Sequence, residues 1–265
     1  MEITEINCKT ALSPSRLPGL KYSLNPYNGC QHNCAYCYVP NVLKINRNHW
    51  GNFVKVKKNI PLVLSKELKN KKPGVVGIST VTDPYQPVEK KYRLTRYCLE
   101  QLLKFDFPIS IQTKSSLVSR DIDLFKKFSD IEIIFSISTL NDFERQKLEP
   151  ASSPIKDRLD SLKKLNEEKI KTNVFFGPIY PTISIEDVSF IIDIFIDNKV
   201  NNIWIDRFNL KPGIWNNIKK NIQNDNIMYS TFYKKFFIEK NYYEKLRDYL
   251  LKIGYEKNIK IVDAF

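Results

Sequence analysis

The sequence predicts an α/β fold, a parallel sheet of six short strands curled into a partial (β/α)6 barrel and followed by a helical C-terminal extension. Three observations predict it. Apolar runs rich in β-branched residues recur along most of the chain, and segments of helical period separate them. With 265 residues and 42% hydrophobic content, the chain is large enough to bury the core of a single α/β barrel.

The expected strands are residues 21–24, 75–80, 109–112, 132–137, 172–176 and 202–206, each short enough to be buried in a parallel sheet. Helices between them have readable ends. Ser153 reads as an N-cap with Pro154 in the first turn, and Ile155, Leu159, Leu162 and Leu165 then follow at helical spacing. Ser184 with Asp187 starts another helix, whose apolar face holds Val188, Ile191 and Phe195. Leu94, Cys98, Leu102 and Phe105 form a stripe that makes Cys98 a core residue, whereas Cys8 has no evident partner. Residues 232–252 are aromatic and helical, with Phe236, Tyr243, Leu246, Leu250 and Ile253 spaced to dock. Capping the open barrel is the expected role, and a platform for stacking on bases is the alternative. Residues 259–262 read as a closing strand. The chain thus divides into an N-terminal extension (1–20), the barrel (21–207) and a C-terminal extension (208–265).

No apolar run approaches the ~20 residues that span a bilayer, and the first residues lack the pattern of a signal peptide, so a cytoplasmic protein without a membrane partner is expected. The 42 Lys and Arg against 29 Asp and Glu leave a formal net charge of +13, a field that attracts phosphate-rich partners. The lysines are scattered, however, and the chain is rich in Lys, Asn and Ile together, a bias that an AT-rich genome also produces. Charge alone does not carry a function.

The cysteines say more. Cys30, Cys34 and Cys37 stand within eight residues, after the turn sequence Asn25-Pro26-Tyr27-Asn28-Gly29. Three thiolates hold three irons of a cubane cluster and leave the fourth iron open, as metal-centred catalysis requires. The main rival is zinc, with His32 or His49 completing a Cys3His site. Core packing on a helix is weaker, because Gln31, His32 and Asn33 interrupt any apolar face. A disulfide framework is weaker still in a chain of this length.

The spacing, with an aromatic residue before the last cysteine, resembles the cluster motif of radical S-adenosylmethionine (radical SAM) enzymes. Further runs resemble one subgroup, the spore photoproduct lyase or DNA repair photolyase-like family: Asn25 to Cys30, Cys37-Tyr38, Ser79 to Glu89, Gln112-Thr113-Lys114-Ser115, and Arg145 to Arg158 with Leu148-Glu149-Pro150. The resemblance covers about residues 20–206 and implies a radical SAM barrel, a 4Fe-4S cluster on Cys30, Cys34 and Cys37, and S-adenosylmethionine as cofactor. It further implies reductive cleavage of that cofactor to a 5'-deoxyadenosyl radical that takes hydrogen from a substrate, and an electron donor such as a flavodoxin or ferredoxin.

Cofactor contacts are expected where predicted parallel strands end. Thr82, Lys114 and Ser138 are the first choices by resemblance, with Asp83, Ser115, Ser136, Arg145 and the backbone of Tyr36 beside them. Hydroxyls and a lysine suit a ribose and a carboxylate. Each has a plainer reading: Ser136 and Ser138 share one facing by strand alternation, and Asp83 makes a turn before Pro84. Arg145, Glu149 and Arg158 are expected to pair with one another or with ligand, since burying them alone is costly. No catalytic side chain is singled out. The name-giving enzyme uses a cysteine hydrogen donor, yet the run Ile78 to Pro84 contains none. A relative with another substrate is expected, acting on nucleic acid or, alternatively, on a peptide or small molecule; a zinc-stabilised binding protein is the third reading.

Overall fold

The β-branched runs become the interior of one large sheet. The structure, a computed structural model, describes residues 1–265. Its strands are β1 (Glu2–Ile6), β2 (Leu12–Pro14), β3 (Tyr22–Leu24), β4 (Tyr27–Asn28), β5 (Phe53–Lys57), β6 (Val76–Ile78), β7 (Ile109–Thr113), β8 (Ile131–Ser136), β9 (Lys171–Phe176), β10 (Asn202–Ile205) and β11 (Lys260–Asp263). Its helices are α1 (Val39–Leu43), α2 (Ile60–Leu68), α3 (Glu89–Tyr92), α4 (Leu94–Leu103), α5 (Ile122–Phe125), α6 (Asp142–Leu148), α7 (Ile155–Glu167), α8 (Ile185–Asp197), α9 (Ile214–Ile222), α10 (Asn226–Tyr233) and α11 (Tyr242–Glu256).

Eight strands form the main sheet in the order β11-β10-β9-β8-β7-β6-β3-β2, parallel throughout except for the antiparallel β2–β3 pair. This is the expected α/β partial barrel. Val76, Gly77 and Ile78 of β6 are all buried, as in a parallel strand covered on both faces. Because the strands run the same way, the loops after β3, β6, β7 and β8 emerge at one end. The last strand pairs with β10 and extends the sheet, and β2 lies at the opposite edge, so the expected closing strand leaves the barrel open.

Helix packing follows the apolar spacing. Leu94, Cys98, Leu99 and Leu102 of α4 are buried. Phe105 is 39% exposed because α4 ends at Leu103, which removes it from the expected stripe. A capping box of Ser184 and Asp187 opens α8, as read from the sequence. At α7 the sequence reading shifts by one residue: Pro154 is itself the N-cap, and the Ser153 hydroxyl accepts from the Ser116 amide instead. The aromatic tail is not one helix, since α10 ends in a π-helical turn over Lys234–Ile238 before α11 begins. Tyr242, Tyr243, Leu246, Leu250 and Ile253 of α11 are buried, and the Tyr242 and Tyr243 hydroxyls donate to the carbonyls of Ile183 (2.6 Å) and Ile179 (2.9 Å).

A second, three-stranded sheet was not expected. Here β5 pairs in parallel with β1 and antiparallel with β4. The Asn59 amide clamps both backbone groups of Cys8, at 2.8 and 2.9 Å, which gives the segment around that cysteine its partner. No helix is long and apolar enough to cross a membrane.

Candidate active site

The short β4 strand sets the start of the cysteine loop. Gly29 follows it with φ +96°, and a Cβ there would lie 2.3 Å from the Phe53 carbonyl oxygen, so only glycine fits. Its carbonyl accepts from the Thr82 hydroxyl (2.6 Å) and the Gln86 amide (3.2 Å), and Gln86 Oε1 accepts from the Gln31 amide (2.9 Å). Farther along, the Ala35 N–H donates to the Leu148 carbonyl (2.8 Å), the Ala35 carbonyl accepts from Asn217 of α9 (2.7 Å), and the Cys37 carbonyl accepts from Arg47 (2.7 Å). The loop is therefore braced from several sides, and its thiols are presented by a fixed backbone.

Cys30 and Cys34 are buried and Cys37 is half-buried. On one side Cys30 packs with Val39 and Trp50, with Cys37, Ile45, Phe53 and Val81 against them. Burial pushes the Cys30 thiol up to about 12, with Asp83 and Cys37 adding to the rise, and pushes Cys34 well above the usual thiol range. Such thiols deprotonate when a metal supplies the charge that water cannot. Lys114, in the loop after β7, points its ammonium at the Tyr36 ring, 5.8 Å from the centroid. Burial works against its charge, but Cys34 and Glu149 more than offset this and raise its pKa.

Two buried carboxylates organise the surroundings. Asp83 accepts from the Thr113 hydroxyl (2.8 Å), the amides of Lys114 (2.8 Å) and Tyr85 (2.9 Å), and lies 3.3 Å from His32 Nδ1. Burial alone would raise its pKa; His32 and these donors reverse the effect and hold it at about 2. Glu149 pairs with Arg158 at 2.5 Å and accepts from the Tyr36 hydroxyl and from Ser152 (3.2 Å). There too the cations, Arg158 and then Lys114, overcome burial and hold the carboxyl at about 2.

The Radical SAM superfamily model matches residues 24–194, which hold the three cysteines and most of the barrel. The chain belongs to the radical SAM superfamily. An uncharacterized protein of Methanocaldococcus jannaschii is 42% identical over 194 residues, 72% of either chain. A protein of Pseudomonas phage M6 named radical SAM Nalpha-GlyT isomerase is 29% identical over 164 residues, 61% of this chain and 34% of that one. Among solved structures, a spore photoproduct lyase variant superposes with a TM-score of 0.75 over 99% of this chain and 82% of its own, at 12% identity. Another variant of that lyase, solved with AdoMet and a dinucleoside spore photoproduct bound, gives 0.71 over 100% and 82%, at 12% identity. At this identity the superpositions establish the shared fold.

As a radical SAM enzyme the chain uses a 4Fe-4S cluster and S-adenosylmethionine. Its donors suit the cluster. Three cysteine thiols come from one braced loop, the donor type and number that ligate three irons of such a cluster. His32, the histidine inside the loop, is engaged by Asp83, and His49 is exposed.

The structure gives the other expected contacts definite partners. Thr82 holds Gly29, and Asp83 ties the loops after β6 and β7 to His32. Ser115 caps the turn at Leu117, Ser136 accepts from Gln112 (3.0 Å), and Ser138 donates to the Gly177 carbonyl (3.0 Å) with the Tyr36 hydroxyl 3.4 Å away. Arg145 is 4% exposed and bonded to Asp142 and to the carbonyls of Glu149 and Ser152. It braces the turn that carries Glu149, while Glu149 and Arg158 form the pair. Lys114 alone keeps a charged group with no carboxylate within ion-pairing distance.

Sequence reasoning passed over Gln86, Asn217 and Trp50. Gln86 lies within a motif run and was open to notice. Asn217 comes from a helix 182 residues away, and no local pattern announces it.

Proposed function

We propose that Cys30, Cys34 and Cys37 ligate three irons of the cluster, and that Lys114 receives the carboxylate of S-adenosylmethionine beside it. The observation that carries this reading is a braced loop of three thiols, with Cys34 and Cys37 close enough to feel the charge of a Lys114 ammonium that has no carboxylate within ion-pairing distance. When bound, the cluster would pass an electron taken from a donor protein to S-adenosylmethionine, whose carbon–sulfur bond would break to methionine and a 5'-deoxyadenosyl radical for hydrogen abstraction. The chain's residues do the holding. Glu149 and Arg158 fix Tyr36 between two cysteines, and Asp83 fixes the backbone of Lys114. Ser138 and the backbone of Tyr36 present polar groups toward the remainder of the cofactor. Residues 21–207 form the catalytic barrel in this reading, with 1–20 and 208–265 as extensions, and a flavodoxin- or ferredoxin-like donor supplies the electron.

The proposed substrate is a nucleic acid. Tyr229 and Tyr233 lie within 27° of parallel at 6.3 Å, Trp215 and Tyr229 likewise at 6.0 Å, and Tyr233 and Phe237 are 44% and 41% exposed. Lys219 stands over the Tyr229 ring at 5.9 Å. Such lysine-flanked ring faces suit stacked bases and a phosphate backbone. The relatives whose structure was solved with a dinucleoside photoproduct share the fold. The lack of cysteine from Ile78 to Pro84 favours a second reading, a peptide or small-molecule substrate. Anaerobic reconstitution with iron and sulfide, then dithionite and S-adenosylmethionine, tests the first proposal: 5'-deoxyadenosine is expected, and its absence from protein loaded with four irons would refute it. Salt-dependent oligonucleotide binding separates the two substrate classes.

A further inference from the structure

Trp50 is 4% exposed, and its indole Nε1 is buried with no hydrogen-bond partner. A buried N–H normally finds an acceptor, and one left without any calls for an explanation. The position of Trp50 supplies it. The turn that carries the residue is locked to the cysteine loop twice: Arg47, whose carbonyl accepts from the Trp50 amide at 3.1 Å, donates to the Cys37 carbonyl, and Gly51 abuts Asn33 so closely that a Cβ would lie 2.2 Å from the Asn33 side chain. The indole packs in the apolar cluster that holds Cys30 and Cys37, away from any carbonyl or carboxylate that could serve it. Cys30 and Cys37 are the two side chains of that cluster that carry an acceptor atom, their sulfur. A neutral thiol is a weak acceptor, and a thiolate bound to iron is a stronger one.

We propose that the Trp50 indole N–H donates to one of these two sulfurs when they ligate the iron–sulfur cluster, which makes Trp50 a positioning residue that raises the cluster's reduction potential. Reduction adds negative charge that spreads onto the sulfurs, and a donor aimed at one of them stabilises the reduced form. The surrounding apolar side chains keep water from replacing it. This inference rests on the 4Fe-4S reading above.

The test is a potentiometric titration, followed by electron paramagnetic resonance, of the full chain reconstituted with iron and sulfide. Trp50→Phe keeps the ring packing and removes the N–H. It is expected to retain the iron content of the wild type but to be reduced about tenfold less at a given ambient potential, about 59 mV for one electron. A strongly coupled exchangeable proton, seen by electron–nuclear double resonance in H2O against D2O, is expected in the wild type and absent in the variant. Trp204→Phe, which removes another unpartnered indole N–H outside the cysteine cluster, should leave both readouts unchanged. Should Trp50→Phe fail to hold iron, benzothienylalanine at position 50 preserves the bicyclic shape and removes the N–H alone. An intact cluster with unaltered potential and proton coupling in either variant overturns the proposal. Failure of the wild type to assemble four irons would instead overturn the cluster reading, and iron and sulfide counts report it separately.

Discussion

The Arg158 guanidinium meets the Glu149 carboxylate at 2.5 Å with both side chains out of water, 0% and 1% exposed. The same carboxylate takes the hydroxyl of Tyr36, and the other arm of the guanidinium donates to the Ser136 carbonyl at 2.7 Å. One ion pair thus joins the end of β8, the turn after α6 and the cysteine loop. Removing Arg158 leaves a buried carboxylate uncompensated, so Arg158→Met is expected to cost about 3–5 kcal/mol. Urea denaturation checks this. Adding Glu149→Gln to that variant should recover part of the loss, because the orphaned charge is gone.

Asp83 works at higher stakes in pH. Its folded pKa, about 2, lies below the ordinary carboxylate value, so its contribution is complete above about pH 5 and fades as pH falls toward 2. Asp83→Asn is expected to lose about 2 kcal/mol at pH 7. The gap between variant and wild type should narrow below pH 4 in denaturation curves taken across that range.

Cysteines of similar burial should behave differently. Cys34→Ala is expected to abolish the brown iron–sulfur chromophore and 5'-deoxyadenosine formation while leaving a folded barrel, as absorption, circular dichroism and chromatography would show. Cys98 is fully buried on α4, and Cys98→Ala should keep the full complement of iron at a cost of about 1 kcal/mol.

Lys114→Met removes the ammonium while keeping the stem. Anaerobic equilibrium dialysis should show S-adenosylmethionine affinity weakened by about tenfold or more, an effect near 1.4 kcal/mol. Iron content should be unchanged.

If the aromatic face of α10 and its following turn receives bases, Tyr233→Ala with Phe237→Ala should weaken single-stranded oligonucleotide binding by about 1–3 kcal/mol per ring. Fluorescence anisotropy of a labelled strand gives the number. The salt dependence should persist in that variant and flatten in Lys219→Glu with Lys220→Glu, since phosphate contacts set the slope.

The strands that the barrel needs were legible in the amino-acid order, because each is a short apolar run and parallel strands bury both faces. The three-cysteine loop was legible too, because its spacing is local, and so was the capping box at Ser184. Period-two alternation in Phe53–Lys57 was present but short, and its partners β1 and β4 are distant or only two residues long, so the small sheet emerged only in three dimensions. Which polar residues brace and which remain free depends on the folded arrangement. Thr82, Ser115 and Arg145 are spent on backbone groups, His32 is taken by Asp83, and Asn217 arrives from α9 to hold Ala35. Residue type and spacing specify what a side chain offers. Whether the offer is already taken depends on neighbours contributed by remote parts of the chain, and burial then makes each pairing obligatory.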